Sequence, residues 1–142
     1  MMAGKKFIVA YDGSPDSKKA LAMAADLAHD AMAKILLVSV YSGVPSVLPD
    51  EIDCSWATMD SEKFYKEKAI AGKKYCEEKG VEVQLKVLQG NPAEEIIKYA
   101  RQENADMIIA GTHGLGGFAR LLLGSVVPQL VTYSDIPVFI VK

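Results

Sequence analysis

Apolar positions fall into five short runs separated by longer stretches of helical period. Residues 5–11, once past two lysines, residues 35–41, 107–110 and 138–141 are apolar almost without a break. Runs of that length predict strands buried on both faces. Residues 81–88 differ, because Val81, Val83, Leu85 and Val87 alternate with polar neighbours. That alternation predicts a half-exposed edge strand.

The intervening segments carry helix signals. Ser14 stands at an N-cap with Pro15 at the first helical position, opening a helix that runs to about Met32. Its expected inner face is small (Ala20, Ala24, Ala25, Ala28 and Ala31, with Leu21 and Leu27), which lets a helix lie close on a sheet. Residues 59–79 place Tyr65, Ala69, Gly72 and Cys76 on one face, and Gly80 supplies a left-handed stop. Asn91, Pro92, Glu94 and Glu95 form a third helix start, with a core stripe of Ala93, Ile96, Ile97 and Ala100. A last helix is expected to begin near Ser125, with Pro128 inside its first turn, where no intrahelical N–H is needed. Residues 42–58 hold two prolines and no clear period, a length that is uncommon in a compact domain unless functional or loose. Strict alternation of strand and helix predicts an α/β fold, a parallel sheet with helices on both faces and right-handed crossovers.

Composition narrows the function classes. At 142 residues without a repeat or linker, the chain reads as a single domain, 1–142. The formal net charge is −2 and no block of lysine or arginine occurs, so neither nucleic acid nor an anionic membrane is an expected partner. The first apolar run is too short for a signal peptide or a membrane span. Cys54 and Cys76 follow no CxxC or metal-ligand pattern, and two ordinary thiols suggest a reducing cytoplasm.

The densest chemical signal is Gly111-Thr112-His113-Gly114, nine residues, then Gly124-Ser125. A strand precedes this loop and a helix follows it. Glycines allow close approach of backbone to a ligand. Ser125 can cap the next helix, and a helix start carries about half a positive charge, which suits phosphate. His113 reads either as a phosphate contact or as a polar loop residue, and Arg120 as a phosphate contact or a cover for Phe118 and Leu121. Asp12, just past the first strand, reads in two ways. It either orders the turn Asp12-Gly13-Ser14-Pro15 through its side chain, or it binds ribose hydroxyls, adenine edge atoms or a metal on the phosphates. No GxxxxGK[ST], Gly-x-Ser-x-Gly or HExxH motif occurs. Gly114–Ala119 fits a dinucleotide fingerprint, but it follows the fourth strand rather than the first. Glu94 and Glu95 belong to a helix start with no evident cleft. No general base, second acid or catalytic lysine is placed, so the expectation is at most slow hydrolysis or autophosphorylation.

The loop spacing, together with Ile8-Val9-Ala10-Tyr11-Asp12-Gly13-Ser14-Pro15, Gly90-Asn91-Pro92-Ala93-Glu94-Glu95-Ile96 and Ile136-Pro137-Val138-Phe139-Ile140-Val141, resembles the universal stress protein family over nearly the whole chain. The resemblance implies an open five-stranded parallel sheet of order 3-2-1-4-5, Rossmann-like and of the adenine nucleotide alpha hydrolase kind. Ligands in such sheets bind where the chain leaves adjacent strands in opposite directions, here at Asp12 and Gly111. It further implies ATP, or AMP or ADP, with base and ribose at Ala10, Tyr11, Asp12 and Val40, whose backbone stands where the family reads the base. The phosphates would rest on Gly111, Gly114, Gly124, Ser125 and Val126, with Mg²⁺ or Mn²⁺, and Ala110, Thr112 and His113 belong to the same expected nucleotide site. The family commonly dimerises by antiparallel pairing of the last strand, here Val138, Phe139, Ile140 and Val141, an apolar edge in this strand order. The implied role is a nucleotide-dependent regulator in a stress response; the alternative is a nucleotide-free dimeric interaction module of the same fold. Two departures stand out. Leu115 and Gly116 replace the Arg and Ser of many relatives, and Ser39 replaces a common His.

Overall fold

The computed structural model describes residues 4–41, 55–112 and 126–142, with only the backbone course for residues 55–61. In chain order the elements are β1 (Lys6–Ala10), α1 (Pro15–Ala31), β2 (Lys34–Tyr41), α2 (Ser55–Glu78), β3 (Val83–Gln89), α3 (Pro92–Gln102), β4 (Met107–Gly111), α4 (Val126–Tyr133) and β5 (Val138–Val141). All neighbouring strands pair in parallel, in the order β3-β2-β1-β4-β5. Among the described residues no helix is long and apolar enough to cross a membrane.

Alternation along the strands sorts the core into two layers. Val9, Ile35, Leu37 and Ile109 point to the face that α1 and α2 cover. Ile8, Leu36, Val38 and Ile108 point to the face that α3 and α4 cover. The central strands are therefore apolar on both sides, whereas β3 at one edge alternates between half-buried and exposed positions.

Caps set the helix ends. The Ser14 hydroxyl oxygen accepts from the Ser17 N–H at 3.2 Å, and the Asn91 side-chain oxygen accepts from the Glu94 N–H at 3.1 Å. Gly80 takes the left-handed stop after α2 (φ 77°), while the Val81 N–H reaches back to the Cys76 carbonyl at 3.0 Å. Helix α1 stops without a glycine: Met32 adopts φ 54° itself and is 87% exposed. The helix thus ends at about the expected position, while Ala31, in its last turn, is exposed rather than part of the inner face. Helix α2 begins at Ser55, four residues before the expected start at Met59. Backbone hydrogen bonding needs no apolar stripe, so turns ahead of the stripe carry no periodic signal. Residues 42–54, the rest of that connection, lie outside the described residues.

The stripe of α2 approaches the sheet closely at Gly72. A Cβ there would lie 3.1 Å from both Leu37 and Tyr11 and 3.2 Å from Leu21. Gly72→Val should cost about 1–3 kcal/mol of stability through overpacking, read as a lower urea midpoint at unchanged slope; an unchanged midpoint would mean that α2 stands further off. One turn on, Cys76 is fully buried, and burial followed by the Glu77 charge pushes its thiol up to about 11. The thiolate is the reactive form. Iodoacetamide at pH 8 should therefore leave Cys76 unmodified in the folded protein and label it in guanidinium, as peptide mass spectrometry would show.

Candidate functional site

Strand β1 ends at Ala10, opposite Val38 on one side, while β2 runs on to Tyr41. On the other side of β1, strand β4 ends at Gly111. A cleft of about 160 Å³ opens over these carboxyl ends. Ala10, Val38, Val40 and Ala110 line it from the sheet, and Ile96 and Val126 from the layer of α3 and α4. Its lining is thus largely apolar, with Asp12, Ser17 and Thr112 as polar members.

The end of the β1–β2 ladder fixes the backbone here. The Tyr11 N–H donates to the Val38 carbonyl at 2.9 Å. Continued parallel pairing would next bring the Val40 N–H to the Tyr11 carbonyl. The Ser39 hydroxyl, wholly buried, donates to that carbonyl instead, at 2.6 Å. Backbone groups of residues two apart in a strand point the same way. Those of Val40, like those of Val38, are therefore turned toward β1, at a level where β1 has already ended. Tyr11 itself is core: its ring is buried and both of its main-chain groups are used within the sheet.

Asp12 orders the turn. Its Oδ1 accepts from the Ser14 N–H at 2.9 Å, which is the Asx-turn reading, and its side chain also lines the cleft. Two phenols register its charge. Burial first, then Asp12, holds both Tyr11 and Tyr65 above the ordinary tyrosine pKa, with a smaller contribution from Cys76 at Tyr11.

Gly111 has a packing reason to be glycine. A Cβ there would sit 2.7 Å from the Asp16 carbonyl oxygen, in the first turn of α1. Beside it, the Thr112 hydroxyl donates to Asp16 Oδ2 at 3.1 Å. The start of the glycine loop is thereby fastened to the start of α1.

Of the expected site residues, Ala10, Tyr11, Asp12, Val40, Ala110, Gly111, Thr112 and Val126 all border this one cleft. His113, Gly114, Gly124 and Ser125 lie outside the described residues, as do Leu115, Gly116 and Arg120. Sequence reasoning missed Tyr65 on α2 and Pro92 and Ile96 on α3, which also line the cleft. A signal for them existed: a helix that follows a parallel strand starts at the carboxyl edge of the sheet, so apolar residues toward that end of it stand near the site. Glu94 also departs from expectation, since it borders a separate groove between α3 and α4 with Lys98, Arg101 and Tyr133.

Comparison with known proteins agrees with this architecture. The family model described as the universal stress protein family matches residues 4–142. Universal stress protein MJ0531 of Methanocaldococcus jannaschii is 37% identical over 97% of this chain and 82% of its own length. The solved structure of universal stress protein UspA from Lactobacillus plantarum superposes with a TM-score of 0.85 at 19% identity, over 99% of this chain and 100% of that one. A universal stress protein from Archaeoglobus fulgidus, solved in complex with dAMP, superposes with a TM-score of 0.69 at 20% identity, over the full length of both chains. With a family model covering the chain from Gly4 to its last residue and a relative above one-third identity, the chain belongs to the universal stress protein family.

Proposed function

We propose that this protein binds an adenine nucleotide in the cleft and acts as a nucleotide-dependent regulator in a stress response in the cytoplasm. The observation that carries the reading is the pair of Val40 main-chain groups turned into the space beyond β1. An N–H beside a C=O matches the acceptor and donor that adenine carries side by side on its edge, and guanine presents the reverse polarity there. The apolar floor at Ala10, Val38 and Ala110 suits a planar ring. Asp12 would take the ribose, a role compatible with its turn bond, since a carboxylate offers about four acceptor sites.

At about 160 Å³ the described cleft is smaller than the roughly 300–1,000 Å³ of pockets that enclose a whole drug-sized ligand. It fits a base, with ribose and phosphates extending over Gly111 and Thr112 toward Gly114, Gly124 and Ser125. Val126 begins α4, so the phosphates of ATP, or of ADP or AMP, would meet a helix N-terminus. Mg²⁺ or Mn²⁺, hard cations that prefer oxygen, would be held chiefly by those phosphates. The dAMP complex of the Archaeoglobus fulgidus relative supports the ligand class.

Small molecules released from purified protein should include ATP or AMP by mass spectrometry. At a hundredfold excess over Kd, ATP with Mg²⁺ should stabilise the fold by about 2.7 kcal/mol, several degrees of melting temperature at this size, and GTP should do less. No shift at millimolar ATP would overturn nucleotide binding and leave the dimeric interaction module as the reading.

The proposed assembly is a homodimer through β5. This strand is the sheet edge opposite β3, and Val138, Phe139, Ile140 and Val141 are apolar throughout. Phe139 is 39% exposed. An apolar edge with main-chain groups to pair invites a second copy, and a two-fold axis makes one substitution act twice. Ile140→Pro removes a donor and should shift the sedimenting mass from two chains toward one. A parent that sediments as one chain at tens of micromolar, or a proline variant that stays dimeric, would rule this interface out.

A further inference from the structure

Helix α2 returns along the sheet from the carboxyl edge, and its stripe of Ala69, Gly72 and Cys76 is buried against the strands. Tyr65 heads that stripe two turns above Gly72, yet it is only half-buried and it lines the cleft. Continued upward, the stripe has run off the end of the sheet, so the ring of Tyr65 borders ligand space. Across the strand ends, Pro92 and Ile96 of α3 supply the facing apolar surface. The ring is also braced. Phe64 meets it edge-on, with centroids 5.3 Å apart and planes at 89°, and the Lys68 ammonium lies 5.2 Å from the centre of the Phe64 ring. The Lys68 stem in turn packs on the Asp12–Ser14 turn, with its Cδ 2.5 Å from where a Cβ on Gly13 would stand. Helix α2 and the turn that carries Asp12 are thus seated on each other.

We infer that Tyr65 is a base-contacting residue: its ring forms the aromatic wall of the cleft and takes the face of the purine whose edge Val40 reads. This rests on the nucleotide reading above. An aromatic wall held by an edge-to-face neighbour presents a flat surface at little conformational cost, which suits a planar base better than a phosphate or a peptide. The Asp12 charge near the phenol, one of the causes that raise its pKa, places the same side chain beside the proposed ribose end.

Isothermal titration with AMP and with ATP–Mg²⁺ on the full chain tests the wall. Tyr65→Ala should weaken both nucleotides by the same factor, about tenfold, because both carry the same base. Tyr65→Phe, which keeps the ring, should stay within about twofold of the parent. Tyr65→Leu keeps apolar bulk in case the alanine variant folds poorly, and it should resemble alanine. Tyr75→Ala, further along α2 and away from the cleft, should bind like the parent. Equal affinity of the Ala, Leu and parent proteins would overturn the inference while leaving nucleotide binding intact. A phenylalanine variant as weak as alanine would also overturn it, by showing that the ring is not the contact. A parent that binds neither nucleotide would overturn the underlying reading and the wall together.

Discussion

The bond from the Ser39 hydroxyl to the Tyr11 carbonyl, 2.6 Å long and wholly buried, is the constraint on which the site depends. A buried hydroxyl left without a partner costs about 1–3 kcal/mol, and so does a buried carbonyl. One bond satisfies both groups and ends the β1–β2 ladder one step early. Strand β1 is then released into the Asp12–Ser14 turn, where Asp12 holds the Ser14 N–H and Ser14 caps α1. The cleft opens beyond that ending, at the level where the Val40 main-chain groups are turned toward β1.

Much of the fold was readable from residues alone, because the signals are local. The apolar runs mark β1, β2, β4 and β5, the alternation marks β3, and Ser14 and Asn91 mark their helix starts through bonds that span three residues. Lateral order is another matter. Strands β1 and β4 pair as Ile8 with Ile108, across most of the chain, and no periodicity encodes which buried strand lies beside which. That order came from the family resemblance. The end of α1 falls at about Met32, as the sequence suggests, but Ala31, read there as part of the inner face, is exposed.

The site was legible where it is made of consecutive residues and illegible where it is made of contacts. Asp12, Gly111 and Thr112 stand at strand ends and could be placed from sequence. The reason Gly111 lacks a side chain could not, since it lies in the Asp16 main chain of a helix that begins almost a hundred residues earlier. Ser39 looked like a departure from the family pattern, and only the structure gives it a partner in Tyr11. Tyr65 looked like one more position on an amphipathic face, because a stripe does not show where the sheet beneath it stops.

These contacts also make the two sides of the cleft mechanically dependent. The Thr112–Asp16 bond and the close approach at Gly111 join the start of the glycine loop to the first turn of α1. That turn is capped by Ser14, whose N–H is held by Asp12, and the intervening Gly13 is covered by Lys68 of α2. A displacement at the proposed phosphate end therefore has a continuous packed route to the proposed base end through α1's first turn, without crossing the sheet. Close-packed contacts of this kind transmit small shifts rather than absorb them. A nucleotide that engages Asp12 and the loop together would brace α1 and α2 against each other, whereas one lacking phosphates would load only the base end. Under the proposed function, a site built this way would distinguish ligands by how many of its parts they engage at once, the property that a nucleotide-dependent regulator requires.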